Sequence, residues 1–140
     1  TDWAVIIKMH PFIKKPVQIP KSVSNRVFDL STEREINDIL FITDVLVTDY
    51  SSVIFENAVI GNACVLYAPD LEQYTDGRGF YFDYSDYSCG SVVHSFSELP
   101  QAVLAAKPGE AQRKFKERFV SLCDGNSSAR FVETILESKK

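Results

Sequence analysis

Two hydroxyls stand directly after an apolar, β-branched run in the segment Thr48-Asp49-Tyr50-Ser51-Ser52. A helix-like apolar pattern follows them and carries one carboxylate, Glu56, four residues after Ser52. Hydroxyls and free backbone N–H groups at a helix N-terminus stabilise an anionic ligand. Residues four apart share one helix face and lie about 6 Å apart along its axis. A phosphate at the serines and a diol at Glu56 would together describe a nucleotide.

The two serines also have a simpler interpretation, as caps of the helix that follows them, because serine is a leading N-cap residue. The reciprocal capping box requires Glu or Gln three residues after the cap. Those positions hold Ile54 and Phe55, so that explanation fails. The rest of the helix start is apolar, which leaves Glu56 without an obvious partner and favours a ligand-binding role.

Two further side chains could contact an anion. His10 precedes Pro11 after an apolar run, and histidine is suited to donating a hydrogen bond near neutral pH. An ordinary turn residue is the alternative. Arg78 lies between glycines that allow close approach of another surface, and a guanidinium can bind phosphate through paired hydrogen bonds. Its alternative is a surface ion pair with one of three nearby acids, Asp70, Glu72 or Asp83.

Strands alternating with helices must position these residues. Apolar runs predict strands over 4–9, 27–29, 45–48, 63–67 and 92–93. Helices are predicted over 33–40 and 52–60, and three more, over 96–106, 109–123 and 126–138, complete the chain. Strands that are apolar throughout indicate a Rossmann-like parallel sheet with helices on both faces. Ligands bind such sheets at the carboxyl ends of the strands, so we expect His10 and the serines on one edge.

The segment 70–91 is predicted to be a long loop rich in aromatic residues. We expect these rings to pack the loop down: Tyr74, Tyr81, Phe82, Tyr84 and Tyr87. A nucleic-acid stacking platform is disfavoured because the net charge is −4 and the pI is near 5.1. Nucleic acid is therefore not an expected partner.

The composition is that of one globular domain spanning residues 1–140, with 45% hydrophobic and 24% charged residues. No apolar run approaches the roughly 20 residues of a transmembrane helix. The three cysteines and two histidines have no metal-ligand spacing, so we predict neither a bound metal nor a cofactor. The cysteines are expected to be reduced, structural thiols in a cytosolic setting.

Several motifs, in order, resemble those of the CDP-glycerol glycerophosphotransferases, the teichoic-acid and capsule polymerases. They are Ile6-Ile7-Lys8-Met9-His10-Pro11-Phe12, Thr48 to Glu56, Tyr67 to Tyr74, Arg78-Gly79-Phe80-Tyr81 and Cys123 to Arg130. The resemblance covers nearly the whole chain. It implies the C-terminal, nucleotide-binding half of a GT-B fold, in which two Rossmann-like domains enclose the active site.

The resemblance also implies an enzymatic activity and residue roles. Members transfer glycerol phosphate, or ribitol phosphate in relatives, from a CDP-alditol to a polyol-phosphate or glycan acceptor, and CMP is released. By similarity, His10 contacts the donor pyrophosphate and is the catalytic residue. Ser51 and Ser52 would hold phosphate and Glu56 would bind the ribose, and Asp49 and Arg78 are further expected substrate-binding residues. The expected location is the cytoplasmic face of the cell membrane, with peripheral attachment through segments outside these 140 residues.

The second histidine of the family, the proposed general base, belongs to an N-terminal domain that these residues do not contain. The chain is therefore expected to be part of a longer enzyme and inactive alone. Two alternatives remain at this point. One is a GT-B glycosyltransferase domain that uses a nucleotide sugar, and the other is a non-catalytic nucleotide-binding domain.

Overall fold

The computed structural model describes residues 2–137, which divide between Ile36 and Asn37 into two compact units. The first unit holds the strands β1 (Val5–Ile7) and β2 (Val27–Asp29). They pair in parallel, and Val5 lies opposite Val27. The short helix α1 (Ile36–Leu40) begins at the division.

The second unit is built on a three-stranded parallel sheet. Its strands are β3 (Val45–Thr48), β4 (Ala63–Tyr67) and β5 (Ser91–Val93), and β4 lies in the middle. Four of the five β4 residues are buried, as expected for a continuous apolar run paired on both edges. The register places Thr48 opposite Leu66 and Tyr67 opposite Val93.

Five helices flank this sheet or follow it in the second unit: α2 (Val53–Ile60), α3 (Leu71–Gly77), α4 (Leu99–Ala105), α5 (Glu110–Phe119) and α6 (Ser127–Glu137). Helices α2 and α5 pack together, and Ile54 and Phe115 belong to one core cluster with Leu66 of β4. Apolar residues three and four apart on α2 produce this buried stripe. The predicted α/β fold with parallel pairing is thus confirmed.

The prediction of a loop throughout 70–91 is wrong, because α3 occupies Leu71–Gly77. This helix is only seven residues long, and its sequence, Leu-Glu-Gln-Tyr-Thr-Asp-Gly, has no apolar periodicity to indicate it. It is stabilised instead by tertiary packing, since the Tyr74 ring stacks on Tyr50 with 3.9 Å between ring centroids.

Several predicted element ends also need correction. The first strand covers three residues and not six, and α1 starts at Ile36 and not at 33. Helix α4 begins at Leu99 and not at 96. The Glu98 carboxylate accepts hydrogen bonds from the backbone N–H groups of His94 and Ser95, and residues 94–98 therefore form a turn. Helix α5 ends at Phe119, so Cys123 lies beyond it. The predicted end of the last helix, at 138, lies outside the described residues.

None of the helices within residues 2–137 combines the length and the apolar content needed to cross a membrane. The same residues contain no group of three or more His, Cys, Asp or Glu side chains that could hold a metal ion. Cys64 and Cys89 are free and buried, whereas Cys123 is free and exposed.

Candidate functional site

The serines occupy the turn that joins β3 to α2, at the carboxyl end of the strand. The ladder with β4 ends at Thr48, and helix α2 starts at Val53. Between them Asp49 and Ser52 are exposed, and Ser51 is half-buried. We call residues 49–52 the serine turn.

Neither serine is a strong cap of α2. The Ser52 side chain makes no capping hydrogen bond, although Ser52 occupies the N-cap position. The backbone N–H of Val53 donates to the Ser51 hydroxyl over 3.3 Å, a long bond between near neighbours. Both hydroxyls can therefore still bond a ligand at this helix N-terminus, where the helix dipole favours negative charge.

Glu56 lies in the first turn of α2, and one of its oxygens is unsatisfied. The residue is half-buried, and its Oε2 atom is buried without a hydrogen-bond partner among the described residues. A buried polar atom with no partner costs free energy, so native proteins rarely keep one without a reason. A ligand hydroxyl donating to Oε2 would remove this cost.

Aromatic residues from later in the chain surround the serine turn. The Tyr50 ring stacks on Tyr74 and lies 5.6 Å from the ring of Tyr84. Phe80 joins them, with its ring 5.0 Å from that of Tyr84. The expected packing of 70–91 by its own rings therefore holds for Tyr74 and Tyr84. It is wrong for Tyr81, whose side chain is fully exposed.

Two tyrosine hydroxyls hydrogen-bond at this turn. Tyr84 donates to the carbonyl oxygen of Asp49 over 3.1 Å, and Tyr50 donates to Oδ1 of Asp70 over 2.8 Å. Burial, followed by the charges of neighbouring groups, raises the pKa of Tyr84. Burial and the bond to Asp70 raise the pKa of Tyr50, so both remain hydrogen-bond donors at neutral pH. Sequence reasoning missed these contacts, whose only local signal is the density of aromatic residues.

Arg78 follows α3 and is exposed. Its guanidinium carbon lies 6.0 Å from the centroid of the Tyr74 ring, and within residues 2–137 it forms no ion pair with an acid. The flanking glycines do not serve the predicted close approach: a Cβ on Gly77 would meet nothing within 4 Å. Gly79 instead ends the helix in a left-handed conformation, with φ at +71°.

His10 belongs to the first unit, three residues after β1, and is exposed. The backbone N–H of Phe12 donates to its Nδ1 over 3.2 Å, and the two rings meet edge to face. Since Nδ1 accepts this bond, the neutral imidazole carries its proton on Nε2. His10 can thus present an N–H donor to an anion without becoming charged.

A surface cavity of about 380 Å³ in the second unit does not include the serines. It is lined by residues from Thr75 to Asp86, with the carboxylates of Asp83 and Asp86 among them. The Asp86 carboxylate is paired with Arg118, but Asp83 forms no ion pair among the described residues and its charge disfavours an anionic ligand. We therefore place the candidate site at the serine turn.

Parallel sheets flanked by helices, with polar turns after the strands, define the class of the chain as an α/β protein of the GT-B type. Residues 1–137 match the family described as CDP-Glycerol:Poly(glycerophosphate) glycerophosphotransferase, and the chain belongs to this family. The family expected from the motifs is thereby confirmed.

Several similar proteins have names that place them in teichoic-acid synthesis. Teichoic acid ribitol-phosphate polymerase TarL of Staphylococcus aureus (strain NCTC 8325 / PS 47) is 41% identical over 135 residues, which are 96% of this chain and 24% of TarL. A teichoic acid glycerol-phosphate transferase of the same strain is 34% identical, over 97% of this chain and 36% of that protein. Against the ribitol-phosphate polymerases this chain spans about a quarter of their length.

The solved structure of the wall teichoic acid polymerase TagF has a TM-score of 0.75 to this chain and is 26% identical to it. The match covers 98% of this chain and 34% of TagF. A TagF variant soaked with CDPG gives a TM-score of 0.76 at 25% identity.

Proposed function

We propose that this chain is the donor-binding domain, over residues 1–140, of an enzyme that transfers alditol phosphate from CDP-glycerol or CDP-ribitol. The acceptor is a polyol-phosphate or glycan polymer of the teichoic-acid or capsule type, and CMP is released. The reaction takes place at the cytoplasmic face of the membrane, with peripheral attachment through other segments. The observation that carries the proposal is the unpartnered Oε2 of Glu56 beside the serine turn, in a chain that belongs to the glycerophosphotransferase family.

The proposed contacts follow from the chemistry of each group. The hydroxyls of Ser51 and Ser52 donate hydrogen bonds to the phosphates of the CDP-alditol, and the dipole of α2 adds positive potential at its N-terminus. Glu56 accepts a hydrogen bond from a ribose hydroxyl through Oε2. Asp49 is proposed as a further substrate-binding residue of the serine turn. Arg78 adds positive charge to the same unit.

His10 is proposed separately as the donor of a hydrogen bond to the leaving phosphate. An acceptor hydroxyl attacks the phosphorus that carries the alditol, and the bond from that phosphorus to the bridging oxygen breaks. The negative charge that then develops on CMP is stabilised by hydrogen-bond donors already in place. The Nε2–H group of His10 would be such a donor. We assign the base that accepts the hydroxyl proton to no residue of this chain.

Isothermal titration calorimetry on the 140-residue chain tests the proposal. CDP-glycerol, CDP-ribitol and UDP-glucose are titrated separately, and a CDP-alditol is expected to bind most tightly. Tighter binding of UDP-glucose would replace the proposal with a glycosyltransferase that uses nucleotide sugars. Absence of binding by all three would contradict a donor-binding role.

Variants then locate the binding site. Ser52→Ala removes one proposed hydrogen-bond donor to phosphate and is expected to weaken CDP-alditol binding about ten- to a hundredfold, since a hydrogen bond to a charged group contributes about 1.5–3 kcal/mol. Ser88→Ala is the matched control, because the Ser88 hydroxyl donates to the carbonyl oxygen of Ser85 and, among the described residues, forms no hydrogen bond with the serine turn. Equal affinities of the two variants would remove Ser52 from the site.

A further inference from the structure

The backbone of the serine turn is held by a hydroxyl from far along the chain. The ladder between β3 and β4 ends at Thr48, so the sheet does not fix the peptide groups that follow. At that point the Tyr84 hydroxyl, 35 residues away, donates to the carbonyl oxygen of Asp49. This bond is the first constraint on the chain after the strand.

Holding this one carbonyl orients a whole peptide unit. The Asp49 carbonyl and the Tyr50 N–H belong to the same planar, trans peptide group, so they point in opposite directions. While Tyr84 holds the oxygen, the Tyr50 N–H is turned to the side away from Tyr84. The orientation of this peptide sets the direction in which the chain enters Ser51 and Ser52.

Tyr84 itself is firmly positioned. Its side chain is 8% exposed and belongs to the core cluster with Ile54 and Leu66. The rings of Phe80 and Tyr50 lie 5.0 and 5.6 Å from its own ring. A buried ring with few accessible rotamers loses little entropy when its hydroxyl makes a hydrogen bond, which favours this bond.

The Tyr50 side chain restrains the residue that follows the same peptide. Its hydroxyl donates to Asp70, which precedes α3, and its ring stacks on Tyr74. The two tyrosines thus fix the Asp49–Tyr50 peptide from two sides, and one of them belongs to the turn itself.

We propose that Tyr84 is a positioning residue for donor binding: through the Asp49 carbonyl it holds the serine turn in the conformation that receives the donor phosphates. The inference rests on the proposed function of the serine turn. Tyr84 itself contacts no ligand in this proposal. It acts through the backbone of the serine turn, whose residues do contact the ligand. Pre-organisation of this kind raises affinity because less ordering is left for the ligand to impose.

The test is Tyr84→Phe, which removes the hydroxyl and keeps the buried ring. The expected result is about a tenfold loss of CDP-glycerol affinity by calorimetry. Tyr87→Phe is the matched control, since Tyr87 packs against the same core cluster, and among the described residues its hydroxyl makes no hydrogen bond to the turn. In NMR spectra, the Asp49 carbonyl carbon and Tyr50 amide nitrogen are expected to shift in Tyr84→Phe and not in Tyr87→Phe.

A double-mutant cycle with Ser52→Ala separates positioning from a general structural role. If Tyr84 acts through the turn, the loss in the double variant is smaller than the sum of the two single losses. Unchanged affinity in Tyr84→Phe, or strictly additive losses, would overturn the inference. Failure of the unmodified chain to bind any CDP-alditol would instead contradict the proposed function, and the two failures are therefore distinguishable.

Discussion

Glu56 combines a stability cost with a proposed ligand contact at a single atom. Its Oε2 is buried without a partner in the part of the chain that the structure describes. An unsatisfied buried acceptor destabilises the free protein, and the same acceptor becomes useful when a ligand donates to it. Opposite effects on stability and on binding are the signature of such a residue.

We therefore expect Glu56→Met to increase the free energy of unfolding by about 1 kcal/mol and to weaken CDP-glycerol binding at least about tenfold. Urea denaturation and calorimetry measure the two effects. Glu72→Met, which replaces an exposed acid in the first turn of α3, is the control and should change neither strongly. A Glu56→Met variant that binds as well as the unmodified chain would argue for a structural residue.

His10 is predicted to act as a neutral donor through Nε2. His10→Ala should weaken CDP-glycerol binding about tenfold, because a hydrogen bond to a charged phosphate is lost. His10→Gln, which can place an amide N–H near the position of Nε2, should recover part of that affinity. The control is His94→Ala, which removes a ring bonded to the Ala68 carbonyl. Calorimetry in which His10→Ala and His94→Ala behave alike would exclude this role.

Gly90 precedes β5 and lies against the backbone of β4. Of the six glycines, it leaves the least space for a side chain. A Cβ on Gly90 would lie 1.9 Å from the carbonyl oxygen of Cys64, far inside van der Waals contact. The sequence suggested close approach at the glycines beside Arg78, whereas the structure places it at Gly90. Sequence alone could not distinguish them, because the neighbour at Gly90 lies 26 residues away in the chain.

Gly90→Ala should consequently lower the free energy of unfolding by about 1–3 kcal/mol, since β5 must shift away from β4. Gly77→Ala, at a helical position with open space around it, should leave stability unchanged or raise it by up to about 1 kcal/mol. Denaturation curves of the two variants provide the measurement. Equal destabilisation by both would contradict the Gly90 contact.

The start of α6 depends on a charged turn. The Asp124 carboxylate accepts hydrogen bonds from the backbone N–H of Asn126 and from the Arg130 guanidinium. These contacts lower the pKa of Asp124 to about 2. Because the folded-state pKa is lower than the unfolded value of about 3.9, the turn is stabilised fully above that value.

This stabilisation is expected to be lost as the pH falls from about 4 through 2. Amide hydrogen exchange or NMR shifts of α6 residues, recorded across that range, should report local loosening in the unmodified chain. In Asp124→Asn, the start of α6 should already exchange its amide hydrogens faster at neutral pH. Lowering the pH should cause no further change that arises from position 124. A flat profile in the unmodified chain would show that this turn contributes little.

The whole chain carries a net charge of −4, so an anionic donor substrate must be held by local groups and not by the overall electrostatic field.

A ligand that binds only the folded chain stabilises it by an amount set by its concentration relative to Kd. At one hundred times Kd this is about 2.7 kcal/mol, or a rise in Tm of roughly 5–10 °C for a chain of this size. We expect CDP-glycerol to produce this rise, and Glu56→Met to reduce it.

Thermal denaturation with increasing CDP-glycerol measures this shift. The prediction is contradicted if the ligand leaves Tm unchanged at concentrations that saturate binding in calorimetry. CMP is an informative comparison, because it retains the ribose and one phosphate and lacks the alditol phosphate.

The parallel α/β class, three of the five strands to the residue, and the family were all predicted correctly from the sequence. Apolar runs, turn residues and motif order are local features, and they can be recognised without knowing what packs against them. The serines after β3 and the position of Glu56 one turn later were also predictable, because the 3.6-residue helical period places them together.

Which polar groups have hydrogen-bond partners could be learned only from the folded structure. The bond from Tyr84 to Asp49 joins residues 35 apart, and that from Tyr50 to Asp70 joins residues 20 apart. The isolated Oε2 of Glu56, the crowding at Gly90 and helix α3 likewise depend on neighbours contributed by distant segments. Local periodicity shows which face of an element is apolar. It does not show which atom of another element will meet that face, because packing is settled only when the chain is folded.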